Sequence, residues 1–146
     1  MIAFDTNFLV RMLVEDDRKQ AESVRKTILY AEKISIQILI LPEVLIETVW
    51  VLESVYQCTK DEITHFLETL LSASTFTHPN PDVIRKAIQQ YKRSGDFADF
   101  VIVEQAKQKQ AKNLFSFDKK LQKKYPDYVV SDISTTQAIN KDTKIG

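Results

Sequence analysis

Glycine is nearly absent from this chain. Only Gly95 and Gly146 occur in its 146 residues. Rossmann dinucleotide sites and P-loops both need a glycine-rich turn, because the backbone must come close to the phosphates there. No segment of the sequence supplies such a turn. The sequence therefore argues against dinucleotide oxidoreductases and P-loop NTPases.

Cysteines and long apolar runs are also scarce. Cys58 is the only cysteine, which excludes an internal disulfide and a cysteine-rich zinc site. No apolar run approaches the ~20 residues of a transmembrane helix. The short apolar start ahead of Asp5 has neither the basic leader nor the long apolar core of a signal peptide. We therefore expect a cytoplasmic protein with no membrane partner.

The formal net charge is zero, but the charges are unevenly distributed. Residues 1–74 carry 7 basic and 12 acidic residues, whereas residues 75–146 carry 13 basic and 8 acidic residues. Seven lysines lie within residues 107–124, against one acidic residue. These lysines could form a solvated helix face or a rim that contacts phosphates. For the second alternative the candidate RNA-binding residues are Lys112, Lys119 and Lys120.

Strands and helices are predicted to alternate along the chain. Short apolar segments predict strands at residues 2–5, 35–40, 76–77, 113–117 and 128–131. Helical spacing of apolar residues predicts helices between them. This alternation indicates an α/β fold with a mainly parallel central sheet of four to five strands. We expect one domain over residues 1–140, with a terminal helix from Ser134 and a loose tail over residues 141–146.

Three local signals refine these helices. Thr59 and Glu62 have the spacing of a capping box, and Pro42 suits a first helical turn. Thr6 or Asn7 is expected to cap the first helix. Trp50, among the apolar residues of the helix after Pro42, is expected in the core.

Acidic residues recur at the ends of the apolar segments. They are Asp5 after residues 1–4, Glu43 and Glu47 after residues 38–41, Asp96 and Asp99 within residues 95–100, and Asp118 after residues 113–117. In parallel α/β sheets, sites form at the carboxyl ends of strands. Carboxylates near buried strands are unfavourable unless their charge is compensated, and a shared divalent cation would compensate it. The pattern therefore indicates metal-assisted chemistry.

Several of these acids have a structural alternative. Asp5 could cap the following helix, although its neighbours could do so instead. Glu43 would stand in a first helical turn, where a carboxylate favours the helix dipole, and only one of Glu43 and Glu47 need bind metal. Asp96 could be an N-cap with Asp99 three residues on, and Asp118 could be a turn residue.

Four segments, taken in order, resemble the motifs of PIN-domain nucleases. They are Asp5-Thr6-Asn7, residues 41–52 with Glu47 as the matching acid, Asp96-Phe97-Ala98-Asp99, and Phe115-Ser116-Phe117-Asp118. The resemblance runs from residue 1 to about residue 133, and the nearest likeness is to VapC-type toxins of toxin–antitoxin pairs. It implies a three-layer α/β/α sandwich. It also implies a metal-dependent ribonuclease that leaves a 5′-phosphate and a 3′-hydroxyl.

The resemblance also implies roles for particular residues and partners. Asp5, Glu47, Asp99 and Asp118 would be catalytic ligands of one or two Mg²⁺ or Mn²⁺ ions, with Asp96 as a further ligand. Thr6, Asn7 and Ser116 would hold the carboxylates by hydrogen bonds. The implied partners are RNA, a cognate antitoxin and a second copy of the chain. The first helix, with Phe8 and Met12, could serve that association or the core.

Two positions depart from the usual motifs of this family. Phe100 follows Asp99 where relatives carry a small residue, and it could reshape the floor of the site. Residues 110–112 replace a glycine that is common before the fourth motif. Neither change removes an acid, so neither puts activity in doubt.

Other function classes fit less well. A phosphotransferase of the haloacid-dehalogenase type would carry a second acid where Asn7 stands. A receiver-like regulatory module would have an acid pair after the first strand and a phosphorylated aspartate after a central strand. A PIN-fold RNA-processing nuclease, or a catalytically silent RNA-binding member, remains open as the second reading of the same motifs.

Overall fold

The computed structural model of the protein describes residues 1–135. Its strands are β1 (Ile2–Ala3), β2 (Ile38–Leu39), β3 (Phe76–Thr77), β4 (Leu114–Phe115) and β5 (Val129–Val130). Its helices are α1 (Thr6–Leu13), α2 (Arg18–Lys33), α3 (Pro42–Ser54), α4 (Lys60–Ser72), α5 (Pro81–Arg93), α6 (Phe97–Gln108) and α7 (Lys119–Lys124), followed by a 3₁₀ turn at Ile133–Thr135. The predicted alternation of strands and helices is confirmed.

All strand pairs in the described part of the chain are parallel. The first sheet has the order β1-β2-β3, with Ile2 opposite Ile38 and Ile38 opposite Phe76. The pair β4-β5 forms a second ladder, with Leu114 opposite Val129. The α/β class is therefore confirmed. Within residues 1–135 the hydrogen bonds divide the five strands into sets of three and two instead of one continuous sheet.

The strands are shorter than their apolar segments. Only two residues separate the end of β1 from the start of α1, and three separate β4 from α7. The chain leaves each ladder early because Asp5 and Asp118 immediately cap the next helix. The functional consequence is that both acids stand at the carboxyl ends of parallel strands.

Local capping explains the other helix starts. Thr59 and Glu62 form the predicted capping box at α4, which satisfies two backbone N–H groups reciprocally. Asp17 caps α2 by accepting a hydrogen bond from the amide of Gln20. Pro42 and Pro81 occupy the first turns of α3 and α5, where the missing N–H has no intrahelical partner to lose.

The core contradicts one prediction about α3. Trp50 is 61% exposed, although it was expected inside. The buried face of α3 consists of Leu45, Thr48, Val49 and Leu52, which follow the i, i+3, i+4, i+7 spacing of a single helical face. Trp50 lies outside that face. The helix therefore carries apolar side chains on its exposed side as well as on its buried side.

The first helix contributes to the core. Leu9 is fully buried, and Phe8 and Met12 pack partly buried against the core cluster. The rings of Phe4 and Phe8 contact each other at an interplanar angle of 59°, with their centroids 5.0 Å apart. Leu9 is therefore a core residue, whereas Phe8 and Met12 pack against the core and still expose part of their surface.

Two further predictions concern transmembrane helices and the C-terminal region. Within residues 1–135, no helix combines the length and apolarity needed to cross a membrane. Ser134 lies in the 3₁₀ turn, while the rest of the predicted terminal helix, the domain limit at residue 140 and the tail over residues 141–146 lie outside the described residues.

Candidate metal and nucleic-acid site

Asp5 follows β1 by two residues and caps α1. Its Oδ1 accepts a hydrogen bond from the amide of Phe8 at 3.1 Å, and its side chain is exposed. The prediction that Thr6 or Asn7 would cap this helix is therefore wrong, since the chain enters the helix one residue earlier, at Thr6. A carboxylate has a second oxygen and further lone pairs, so capping and metal binding are compatible.

Glu47 is an exposed residue on the second turn of α3. Glu43 stands one turn earlier, in the first turn, where its charge favours the helix dipole as predicted. Thr48 beside Glu47 is fully buried and donates its hydroxyl to the carbonyl of Val44 at 2.6 Å. Because Thr48 faces the core with its hydroxyl satisfied inside α3, the adjacent Glu47 lies on the exposed side of the helix.

Asp96 and Asp99 lie at the start of α6. Asp96 is the N-cap and accepts a hydrogen bond from the amide of Ala98 at 3.1 Å. Asp99 follows in the first turn and is half-buried. The turn before them contains Gly95 with φ of +104°, where an added Cβ would lie 2.5 Å from the Cζ atom of Phe100. Phe100, 1% exposed, therefore forms the floor beneath this turn.

Asp118 caps α7 at the carboxyl end of β4. Its Oδ1 accepts from the amides of Lys120 and Leu121, at 2.9 and 3.1 Å. Ser116 accepts a hydrogen bond through its Oγ from the amide of Asp118 at 3.1 Å. Ser116 thus supports the turn through the backbone of Asp118, rather than through a bond to its carboxylate.

Three of the predicted acids share one cavity of about 520 Å³. Its lining residues are Ser94, Gly95, Asp96, Asp99, Phe100, Asp118, Lys120, Leu121, Lys123 and Lys124. Partial burial raises the pKa of Asp99, and the nearby negative charges of Asp96 and Asp118 raise it further. The structure therefore brings together carboxylates from the starts of α6 and α7, whose mutual repulsion a cation would relieve.

The other predicted ligands, Asp5 and Glu47, do not line that cavity. Asp5 and Asn7 line a separate groove with Arg11 and Lys19, and Glu47 lines neither. Thr6, next to Asp5, is buried. Within residues 1–135, no three His, Cys, Asp or Glu side chains converge closely enough to hold a metal ion. The donor type nevertheless fits, because carboxylate oxygens are the ligands that Mg²⁺ and Mn²⁺ prefer.

Basic side chains line part of the acid cavity, namely Lys120, Lys123 and Lys124. The predicted lysines Lys112, Lys119 and Lys120 are exposed, and of these three Lys120 lines the cavity. Lys124, the last of the seven lysines within residues 107–124, was not among the three selected candidates, but it is a half-buried residue of the same cavity. Its position four residues after Lys120 on α7 is a signal that could have placed it on the same face.

The exposure of one aromatic ring next to Asp118 was also not predicted. Phe117 is 88% exposed and directly precedes Asp118. It lies in the short connection between β4 and α7, where the chain is held by the Ser116 and Asp118 turn. A fully solvated phenylalanine is unusual for a core-forming residue type, and sequence position alone does not reveal such exposure.

The parallel α/β fold, with acidic residues at the carboxyl ends of strands, agrees with the PIN-like fold that the sequence motifs predict. The family model described as "PIN domain" matches residues 2–126, and the chain belongs to this family. It is 29% identical over 124 residues to a protein named "VapC ribonuclease" from Aquifex aeolicus (strain VF5), covering 84% of this chain and 91% of that relative. No solved structure matches the chain.

Proposed function

We propose that the protein is a metal-dependent ribonuclease of the VapC type. The observation that carries this proposal is the shared cavity of Asp96, Asp99 and Asp118, in which partial burial, together with the nearby negative charges, raises the pKa of Asp99. The family membership and the name of the Aquifex relative support ribonuclease chemistry. Asp5, Glu47, Asp99 and Asp118 would hold one or two Mg²⁺ or Mn²⁺ ions, with Asp96 beside them.

The acidic and the basic residues would have different roles in hydrolysis. A divalent cation, when bound, supplies an activated water and neutralises charge on the phosphate. Asp5, Asp96 and Asp118 are oriented by backbone amides at three helix N-termini. These positive helix ends stabilise the carboxylate charges. Lys119 and Lys120 would attract the RNA backbone, and Lys112 would extend this basic rim.

The ring of Phe117 supports a single-stranded RNA substrate. Bases of an unpaired strand stack on exposed aromatic side chains, which stabilises binding by about 1–3 kcal/mol per base. Phe117 is placed for this contact because it is 88% exposed and adjacent to Asp118. A base stacked there would lie beside the turn that carries Asp118.

The biological context is part of the same proposal. The resemblance to VapC-type toxins supports a cognate antitoxin that covers the acid site, a homodimer, and action in the cytoplasm on cellular RNA. The exposed apolar side chains of Trp50 and Val55 on α3 and at its end are available for such contacts. We also propose that residues 1–140 form one nuclease domain.

A silent RNA-binding protein is the second candidate. Its support is the absence of a converging three-ligand group within the described residues. Such a protein would use Phe117 and the lysines to bind RNA without cleaving it. The two candidates differ in one measurable property, which is cleavage in the presence of a divalent ion.

The test is cleavage of end-labelled single-stranded and structured RNAs with Mn²⁺ or Mg²⁺. EDTA, Asp5→Asn and Asp118→Asn should each abolish cleavage. Asparagine caps a helix as well as aspartate does, so these variants remove charge while keeping the fold. Asp127→Asn is the matched control, since Asp127 is exposed and lies outside the acid cavity.

Each outcome separates the alternatives. Cleavage that survives both EDTA and Asp5→Asn would refute the metal mechanism. RNA binding without cleavage at any divalent-ion concentration would favour the silent candidate.

The proposed antitoxin partner is tested with the protein encoded by the neighbouring reading frame. A short upstream gene should encode a protein that copurifies with this chain and blocks RNA cleavage in a stoichiometric titration. If its product neither binds nor inhibits, the toxin role is wrong, whereas the nuclease activity is tested independently.

A further inference from the structure

The turn that joins α5 to α6 carries Asp96 and leads directly to Asp99. It consists of Ser94 and Gly95, and Gly95 adopts a positive φ of +104°. The last carbonyl groups of α5 lack intrahelical partners, as at every helix end. Two lysines from distant parts of the chain donate hydrogen bonds to this helix end and to the turn.

Lys124 reaches the turn from the end of α7. Its Nζ donates to the carbonyl of Ser94 at 2.6 Å and to the carbonyl of Gln90 at 3.1 Å. The same ammonium group lies 4.4 Å from the ring centroid of Phe100, the floor of the turn. Since Asp118 caps the other end of α7, Lys124 links the helix of Asp118 to the turn that presents Asp96.

Lys60 reaches the same turn from the start of α4. Its Nζ donates to the carbonyl of Tyr91 at 2.8 Å and to that of Gly95 at 3.5 Å. It also lies 3.6 Å from the ring centroid of Tyr91. Tyr91 is fully buried, and its hydroxyl donates to Glu53 at 3.0 Å. Lys60 therefore ties the turn to a rigid part of the core.

Bringing these cations together is unfavourable in itself. The pKa of Lys124 is lowered by burial and by the nearby charges of Arg93 and Lys60. The carbonyl groups and the negative end of the α5 dipole offset this repulsion. Lys60 and Lys124 are half-buried, and each donates hydrogen bonds to carbonyl groups. Lys123 of the same cavity is exposed. Their arrangement is that of a clamp on the turn.

We propose that Lys60 and Lys124 are positioning residues that clamp the Ser94–Gly95 turn and thereby hold Asp96 and Asp99 opposite Asp118. This inference rests on the proposed nuclease function for its catalytic consequence. The clamp itself is a property of the folded chain and can be measured without RNA or metal. A competing role for Lys124, direct contact with an RNA phosphate, predicts a different kinetic result.

The first test is amide hydrogen exchange over residues 94–100 in metal-free protein. Lys124→Met and Lys60→Met keep most of the apolar stem but remove the donors. Hydrogen bonds to charged groups contribute about 1.5–3 kcal/mol, so exchange in this segment should rise by about tenfold or more. Lys124→Arg should restore much of the protection. Lys26→Met, an exposed change on α2, should leave it unchanged.

The second test separates kcat from KM for RNA cleavage. Displacing the acids should lower kcat by about tenfold to a hundredfold in Lys124→Met and Lys60→Met, with little change in KM. Lys123→Met, which removes a cation of the same cavity without carbonyl acceptors, should instead raise KM. Arginine at position 124 should recover part of kcat.

The outcomes that overturn the clamp are specific. Unchanged exchange over residues 94–100 in both methionine variants would refute it. So would a Lys124→Met variant that raises KM and leaves kcat intact, because Lys124 would then contact RNA. If the wild-type chain cleaves no RNA, the nuclease proposal fails, while the exchange experiment still decides whether the clamp exists. If one methionine variant does not fold, the other and the arginine variant decide.

Discussion

Gly95→Ala should strongly destabilise the protein at the turn that carries the acid site. The new Cβ would lie 2.5 Å from Phe100 Cζ and 3.2 Å from Cε2, and the alanine would have to adopt a φ of +104°. Sparsely populated backbone conformations cost about 1–3 kcal/mol, and overpacking of a full core costs a similar amount, about 1–3 kcal/mol. Intermediate values give a loss of about 3 kcal/mol in the free energy of unfolding.

The assays are urea and thermal denaturation, both followed by far-UV circular dichroism. The urea curves give the loss in the free energy of unfolding. A loss of about 3 kcal/mol should also lower the melting temperature by about 6–12 °C in a domain of this size. The double variant Gly95→Ala/Phe100→Leu shortens the opposing side chain but leaves the backbone strain. A double-mutant cycle should therefore show a favourable coupling of about 1 kcal/mol between the two changes.

Two results would refute this reasoning about the turn. One is a destabilisation below about 0.5 kcal/mol, the level of an ordinary surface change. The other is simple additivity in the double variant, because independent effects would mean that the alanine methyl group does not meet Phe100.

Three further predictions concern strain, charge and RNA binding. Gln110→Gly should stabilise the protein by about 1 kcal/mol in urea denaturation, because Gln110 has a φ of +65° that glycine adopts without strain; a loss of stability would contradict this. Asp99→Asn should raise stability in metal-free buffer at neutral pH. The pKa of Asp99 is higher in the folded state than its value of about 4 in the unfolded chain. Ionisation of Asp99 therefore opposes folding as the pH rises above about 4. Equal unfolding curves for the variant and the wild type from pH 4 to 8 would contradict this prediction. Phe117→Ala should raise KM for single-stranded RNA about tenfold while Phe117→Trp preserves it, and the exposed Tyr30→Ala on α2 serves as control; an unchanged KM would show that the ring contacts no base.

Local signals in the sequence predicted the elements because their causes are local. The capping box at Thr59 and Glu62 and the proline at the start of α3 need only neighbouring residues to act. The missing glycine before the fourth motif is a related case. The chain still takes the left-handed conformation there, at Gln110, so the geometry is retained although the residue that favours it is not.

Local signals could not predict which face of α3 is buried. Apolar residues surround this helix, and Val44, Ile46 and Val51 are all partly buried. Periodicity therefore does not distinguish Trp50 from its neighbours. Only the packing of α3 against α1, α4 and α6 decides which face is covered.

The sequence selected candidate ligands one by one but could not show how they assemble. Asp118 was selected from its position after an apolar segment, and Asp96 and Asp99 from the segment 95–100; the structure places these three around one cavity. The raised pKa of Asp99 and the contacts of Lys60 and Lys124 depend on distances across α4, α5, α6 and α7. Such distances have no counterpart in sequence spacing.

Anomalous diffraction from Mn²⁺-soaked crystals tests most directly whether the acids bind a divalent cation. We expect a peak with carboxylate oxygens of Asp5, Glu47, Asp99 or Asp118 at about 2 Å, and its loss in Asp99→Asn crystals. The absence of a peak at all of these carboxylates, at a Mn²⁺ concentration that supports RNA cleavage, would contradict metal binding by these acids.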